Sequence, residues 1–193
     1  LLDTSGVDYT SEAGEGAFYG PKIDIFVPDA IGRDWQLGTV QLDFSLPERF
    51  DMEYAAEDGT RQRPVVIHRA MYGSLERFLG VLIEHLSGAF PLWMAPVQAV
   101  VVPIADRHID FCNEVGAKLK AAGIRVNVDD SNDRMNSKIR QAQLQKVPYM
   151  LVAGDQEIEA GTVAVRTRTG ENLEPMTVDE VVDKFLKQIE ERS

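Results

Sequence analysis

FPLWMAPVQAVVVPI, residues 90–104, decides how the chain is built. Pro91 and Pro96 remove backbone donors that a helix needs, so a helix running toward them must stop here. The next stretch, VQAVVVPI at 97–104, is apolar almost throughout, as in a strand covered on both faces. One segment therefore closes a first architecture and opens a second, and it divides the chain into residues 1–92 and 93–193.

Beyond the junction, strand and helix patterns alternate. RHIDFCNEVGAKLKAAG (107–123) reads as a helix ended by Gly123 in a left-handed cap, and IRVNVDD (124–130) returns as a strand. A helix through Lys138–Lys146, strands PYMLVAG (148–154) and TVAVRTRTG (162–170), and a last helix from Thr177 come next, with Thr177 and Glu180 at capping-box spacing. This order predicts a mostly parallel sheet with helices on both faces and one antiparallel edge strand.

The part before the junction is β-rich. KIDIFV (22–27), WQLGTVQLDF (35–44) and PVVIHRA (64–70) read as strands, and EDGT (57–60) as a hairpin turn. From Ser74 the rhythm becomes helical. Leu75, Phe78, Leu79, Leu82, Ile83 and Leu86 form one apolar stripe, expected to bury against the strands. The fold class is therefore α/β, or α+β taken over the whole chain: an antiparallel sheet, then an α/β domain.

At 193 residues and 44% hydrophobic content, the chain can bury a substantial core. Its single cysteine, Cys112, excludes an internal disulfide framework. Without a signal peptide or an 18-residue apolar run, a membrane role is not expected and the cytoplasm is the default compartment. A net charge of −11 argues against nonspecific coating of nucleic acid, although a few placed cations suffice for a specific site. The opening LLDTSGVDYTSEAGEG reads as the start of a segment from a longer chain.

Several residues could carry chemistry. On the helix after HRAMYG, a turn of about 100° per residue puts Gly73, Arg77, Gly80 and Glu84 opposite the leucine stripe. Glycines beside Arg77 leave room for a ligand, and a guanidinium fork suits phosphate oxygens; a solvated charged face is the plain alternative. His68 ends an apolar strand run, and one imidazole does not make a metal site. His85 and His108 read as structural or exposed. GEGAFYGPKID (14–24) lacks the glycine spacing of a phosphate-cradling loop. Trp35, Gln36, Thr39 and Gln41 alternate along a strand, where glutamines need hydrogen-bond partners or a polar substrate. Residues 132–146 hold Arg134, Lys138, Arg140 and Lys146 against one acid, Asp133, a local cationic face.

Taken in order, GEGAFYGPKIDI, WQLGTVQLDFSLPERF, HRAMYGSLERFLG and PYMLVAGDQEIEAGTVAVRTR resemble the C-terminal part of the threonyl-tRNA synthetases, a family of class II aminoacyl-tRNA synthetases. The resemblance covers essentially the whole chain. It implies ATP-dependent activation of threonine, with magnesium accompanying the ATP, and transfer of the threonyl group to threonine tRNA by a cytoplasmic homodimer. GSLERF is similar to the third class II motif, which places Arg77 at the ATP phosphates and Ser74 at the nucleotide edge. Tyr19 and Lys22 match residues lining the threonine and adenylate pocket, with Lys22 and Arg77 carried as the catalytic pair. Gln36, Thr39 and Gln41 match polar positions around the adenylate. His68 matches one of three protein ligands of a zinc ion that binds the amino and hydroxyl groups of threonine.

The second half resembles the family's anticodon-binding domain, in which Asn132, Arg140, Glu157 and Arg166 match the base-reading residues. Motifs 1 and 2, the other zinc ligands and the editing domain precede this region in the family, so the chain alone is expected to be inactive. The alternatives are a non-catalytic tRNA-binding accessory protein and, on strand and helix order alone for residues 97–193, a flavodoxin-like small-ligand domain.

Overall fold

The computed structural model describes residues 2–193, in two compact units, one ending at His85 and the other spanning Leu86–Ser193. In the first unit the chain forms β1 (Lys22–Pro28), β2 (Asp34–Asp43), the one-turn helix α1 (Ser45–Arg49), a small hairpin of β3 (Tyr54–Ala55) and β4 (Arg61–Gln62), β5 (Val66–Ala70) and α2 (Leu75–His85). β1, β2 and β5 make an antiparallel sheet in that order. EDGT is the turn between β3 and β4, with the Asp58 carboxylate accepting from the Thr60 amide at 2.9 Å.

The pairing of β1 with β2 is irregular at one point. Ile25 pairs with Gly38, but Phe26 pairs with Gln36, so Leu37 is an extra residue in β2, a β-bulge.

The leucine stripe of α2 is not buried. Leu75 is 65% exposed, Leu79 49% and Ile83 48%, and among the described residues only half-buried positions such as Phe78 and Leu82 find cover. The opposite, charged face is the one that meets the sheet's hairpin: Glu84 lies 3.7 Å from Arg33, and Arg77 stands over Trp35. Periodicity fixes which residues share a stripe, not which stripe finds a partner.

The second unit continues with β6 (Ala99–Pro103), α3 (Ile109–Ala121), β7 (Val126–Val128), α4 (Met135–Leu144), β8 (Tyr149–Ala153), α5 (Asp155–Ala160), β9 (Thr162–Thr167), β10 (Met176–Thr177) and α6 (Val178–Glu191). The sheet order is β10-β9-β8-β6-β7: β7, β6 and β8 are parallel, β9 is antiparallel to β8, and β10 is antiparallel to β9 and so runs in the direction of the other three. One strand, β9, runs against the others as expected, but the two-residue β10 lies outside it, so the antiparallel strand stands one place in from the edge.

The valine run is buried at every position of β6 because it faces two cores. Ala99 and Val101 join α3 (Cys112, Val115, Leu119) and α6 (Val181, Phe185), whereas Val100 and Val102 join Ile139 and Ala142 of α4. Gly123 takes a left-handed φ of +83° after α3, and Thr177 with Glu180 forms the expected capping box on α6.

The junction itself is clamped to this unit through its carbonyls. The fully buried Gln98 donates to Leu92 O at 2.8 Å and accepts from the Arg125 amide at 2.8 Å. Arg125 donates to Ala95 O and Trp93 O, and Arg168 to Phe90 O. Gln98→Ala would leave a buried carbonyl and amide without partners, and is expected to cost about 2 to 4 kcal/mol in a urea titration. A loss near zero would mean the junction is held some other way.

Candidate functional site

Residues 14–24 continue β1 alongside the end of β2. Tyr19 O accepts from Phe44 N and Pro21 O from Leu42 N, each at 3.0 Å. The approach is close enough that a Cβ on Gly20 would lie 2.2 Å from Leu42 O, so no other residue fits there. That contact sets Tyr19 and Lys22 in register with β2.

The register then builds a polar row. Lys22 pairs with Gln41, and Gln41 pairs with His68, so three residues distant in sequence lie on one rung across β1, β2 and β5. The Tyr19 hydroxyl donates to Gln41 Oε1 at 2.9 Å, and its ring centroid lies 6.2 Å from that of His68. Tyr19, Gln41 and His68 line a cavity of about 380 Å³ together with Phe18, Asp43 and Arg49.

The next rung centres on Asp24, opposite Thr39. Its carboxylate accepts from Lys22 Nζ at 2.7 Å, from Gln36 Nε2 at 2.6 Å and from the Thr39 hydroxyl. Burial alone would raise this carboxyl, but the bonds from Lys22, Thr39 and Gln36 outweigh it and leave it below its ordinary range. Gln36 belongs to this group only because of the bulge at Leu37. Three residues from Thr39, it would otherwise face the other side of the sheet, as Trp35 does.

His68 Nε2 lies 2.9 Å from Asp43 Oδ2. Asp43 also accepts from the amides of Ser45 and Leu46, completing the first turn of α1. The Leu46 amide, then the His68 ring and the Ser45 amide, lower its carboxyl against the opposing pull of burial.

Arg77 is not among the residues lining the cavity. Its amide is capped by Ser74 Oγ at 3.1 Å, and its guanidinium carbon is 5.7 Å from the Trp35 ring centroid, at the far end of β2 from Asp43. From Gln36 to Gln41 the strand rises roughly 15 Å. Asp24 and Asp43 are not singled out by sequence alone, although polar residues recur at alternate positions from Thr39 through Gln41 to Asp43.

In the second unit, the loops after β6, β7 and β8 emerge at the carboxyl ends of the parallel strands, where ligands of open α/β sheets collect. Exposed Asn132 comes after β7, and Glu157 lies in the first turn of α5 after β8. Arg140 is exposed on α4, and Arg166 stands on β9 opposite Met150. The Glu157 carboxylate accepts from the Gly154 amide at 2.9 Å, so one of its oxygens is committed to capping its own helix.

Lys138 departs from the cationic face expected of it. Only 4% exposed, it donates from Nζ to Asp129 O at 2.8 Å and ties the loop to α4. Among the described residues, Arg166 Nε is the one buried side-chain polar atom with no hydrogen-bond partner.

The loops after β6 and β8 are also tied together. Asp155 accepts from Arg107 Nε at 3.0 Å and from His108 Nε2 at 2.9 Å, while His108 Nδ1 accepts from the Ala105 amide. His108 is thus structural, and 2% exposed. Arg107 first, then His108, holds the Asp155 carboxyl far below the ordinary range. A carboxyl depressed in the folded state adds stability above its ordinary pKa of about 4 and loses that contribution as the pH falls below it. The urea midpoint is therefore expected to drop between about pH 5 and pH 3, with a shallower drop in Asp155→Asn; equal slopes would refute the assignment.

Comparison with known proteins bears on both units. A tRNA synthetase class II core domain (G, H, P, S and T) matches residues 4–86, and an anticodon binding domain matches residues 98–188. Over 193 residues the chain is 53% identical to the threonine–tRNA ligase of Streptomyces avermitilis, covering 100% of this chain and 29% of that relative. The chain belongs to the threonyl-tRNA synthetase family. A second threonine–tRNA ligase, from Nitratidesulfovibrio vulgaris, is 55% identical over 181 residues, 94% of this chain and 28% of its own length. The solved RNA binding domain of threonyl-tRNA synthetase from Cryptosporidium parvum aligns with a TM-score of 0.89 and 42% identity, over 96% of this chain and 47% of that one. The chain thus spans about 29% of the length of the curated synthetases it matches.

Among the described residues, no helix is long and apolar enough to cross a membrane. Nor does any group of three or more His, Cys, Asp or Glu side chains among them form a metal-binding set. For the zinc that the family resemblance implies, the matched donor in this chain is His68. His68 suits it, because a carboxylate on one ring nitrogen leaves the other as a basic lone pair, the usual support for a metal-bound imidazole.

Proposed function

We propose that the chain is the C-terminal portion of an enzyme that activates threonine with ATP and transfers it to threonine tRNA. In this reading the first unit contributes part of the catalytic site and the second reads the anticodon. The observation that carries it is the Lys22–Gln41–His68 rung, which gathers the family-matched residues from three strands onto one sheet face beside a cavity.

The hydrogen bonds support a task for each polar group in this reading. Tyr19 occupies Gln41 Oε1, so Gln41 presents its NH2 to a substrate oxygen. Asp24 and Thr39 occupy Gln36 Nε2, so Gln36 presents its oxygen and serves as an acceptor. Lys22, partly neutralised by Asp24, offers its remaining N–H donors to the adenylate.

The threonine carboxylate attacks the α-phosphate and pyrophosphate leaves with the electron pair of the broken P–O bond. Arg77, roughly 15 Å along β2 from the His68 end, stabilises the charge that develops on the phosphates. The terminal adenosine hydroxyl of the tRNA then attacks the acyl carbon, releasing AMP. A zinc ion with His68 as one ligand, and magnesium on the ATP phosphates, would supply Lewis acids at the two ends of the substrate pair. Pyrophosphate exchange by the full-length protein should depend on threonine, and exchange indifferent to threonine would refute the reading.

For the second unit, Arg166 Nε, a buried donor that no group of the fold accepts from among the described residues, supports a base-reading role, because a native protein pairs nearly all such donors. Arg166→Ala is expected to weaken binding of a threonine tRNA anticodon stem-loop by about 1 to 3 kcal/mol. Unchanged affinity in a fluorescence titration would remove Arg166 from the interface.

A further inference from the structure

The turn between β1 and β2 contains a feature that the polar sheet face does not use. Asp29, whose side chain is fully buried, accepts four hydrogen bonds: from the amides of Ile31 (3.0 Å) and Arg33 (2.9 Å), from Arg33 Nε (2.6 Å) and from Trp35 Nε1 (2.9 Å). A hairpin turn can satisfy its backbone without burying a carboxylate. This one also fixes an indole by its only donor, so the orientation of the Trp35 ring is set by the turn.

Two guanidinium groups meet that ring, Arg33 and Arg77, each with its carbon 5.7 Å from the centroid. Their circumstances differ. Arg33 is neutralised by Asp29 at 2.6 Å and lies 3.7 Å from Glu84. Arg77, among the described residues, is paired with no carboxylate within 4.0 Å, and its side chain is met by the aromatic ring. The difference matters chemically. A carboxylate occupies guanidinium donors and must be displaced by an incoming anion, whereas a ring attracts the cation without consuming its N–H groups.

We propose that Trp35, held by Asp29, is the positioning residue for Arg77, orienting its guanidinium toward an anionic phosphate chain while leaving its donors free. The inference rests on the reading of Arg77 as the phosphate-contacting arginine.

The test is a double-mutant cycle in the full-length protein, reading pyrophosphate exchange as a function of ATP concentration. Trp35→Leu should lower kcat/KM for ATP by about 3- to 30-fold, the range of a cation–π contact, with the KM for threonine unchanged. Trp35→Phe, which retains an aromatic face but loses the indole N–H that Asp29 holds, should recover only part of the loss. On an Arg77→Ala background, Trp35→Leu should add nothing. Three results would overturn the proposal: an equal loss from Trp35→Leu with and without Arg77, no recovery with phenylalanine, or normal ATP kinetics in Trp35→Leu while Arg77→Ala is impaired. Normal ATP kinetics in Arg77→Ala would overturn the reading of Arg77 as well, so the two failures are distinguishable.

Discussion

Phe185→Ala is expected to destabilise the second unit by about 3 to 5 kcal/mol, the largest stability effect of any single side chain here. Phe185 is fully buried on α6, and its ring lies 4.6 Å from that of Tyr149, whose hydroxyl in turn donates to Gln188 of the same helix at 3.0 Å. Truncation removes the transfer energy of the ring and leaves a cavity between α3, α6 and the sheet that a close-packed interior fills only in part. Since domains are stable by only about 5 to 15 kcal/mol, the variant should unfold at a far lower urea concentration. Leu186, next on the helix and 41% exposed, should tolerate the same change with a much smaller shift. Similar shifts for the two would mean that α6 is not docked as described.

His68→Ala should abolish stoichiometric zinc in the full-length protein. Loss of an outer-sphere partner of a metal ligand typically costs about 10- to 100-fold in affinity, and loss of a ligand at least that. The geometry adds a graded comparison. Asp43→Asn leaves His68 in place but removes the carboxylate from its Nε2, and should weaken zinc within that 10- to 100-fold range without abolishing it. Metal content by atomic emission, with a competing chelator for affinity, reads both. One zinc per subunit retained in His68→Ala would exclude the histidine as a ligand.

Much of this was legible in the chain because the signals were strong and local. The valines of β6 read as a strand covered twice, and the structure divides them between two cores. The helix before the junction was legible as a helix, but not which side it would use. Leu75 and Ile83 are exposed while Arg77 and Glu84 meet the hairpin, an outcome set by Trp35 and Arg33 rather than by periodicity.

Short elements were missed for a related reason. α5 is six residues capped through Glu157 and Gly154, and β10 is two residues, too brief for any repeat to show. In the site, the family-matched residues carried a polar character visible in sequence, whereas Asp24 and Asp43 act by pairing across strands, which only register reveals. Lys138 shows the converse. A basic residue in a basic stretch turned inward because a backbone carbonyl was waiting for it.

The unmatched Leu37 has a consequence for how this region can vary. By shifting the phase of β2, it brings Gln36 round to the side occupied by Thr39 and Gln41, so the grouping depends on a residue count rather than on a side chain. Many substitutions at position 37 would leave that count intact, whereas deleting it would turn Gln36 and everything before it in the strand to the opposite side. Spacing between positions 36 and 39 is thus what the grouping requires, and the site should withstand a change of letter at position 37 better than a change of length.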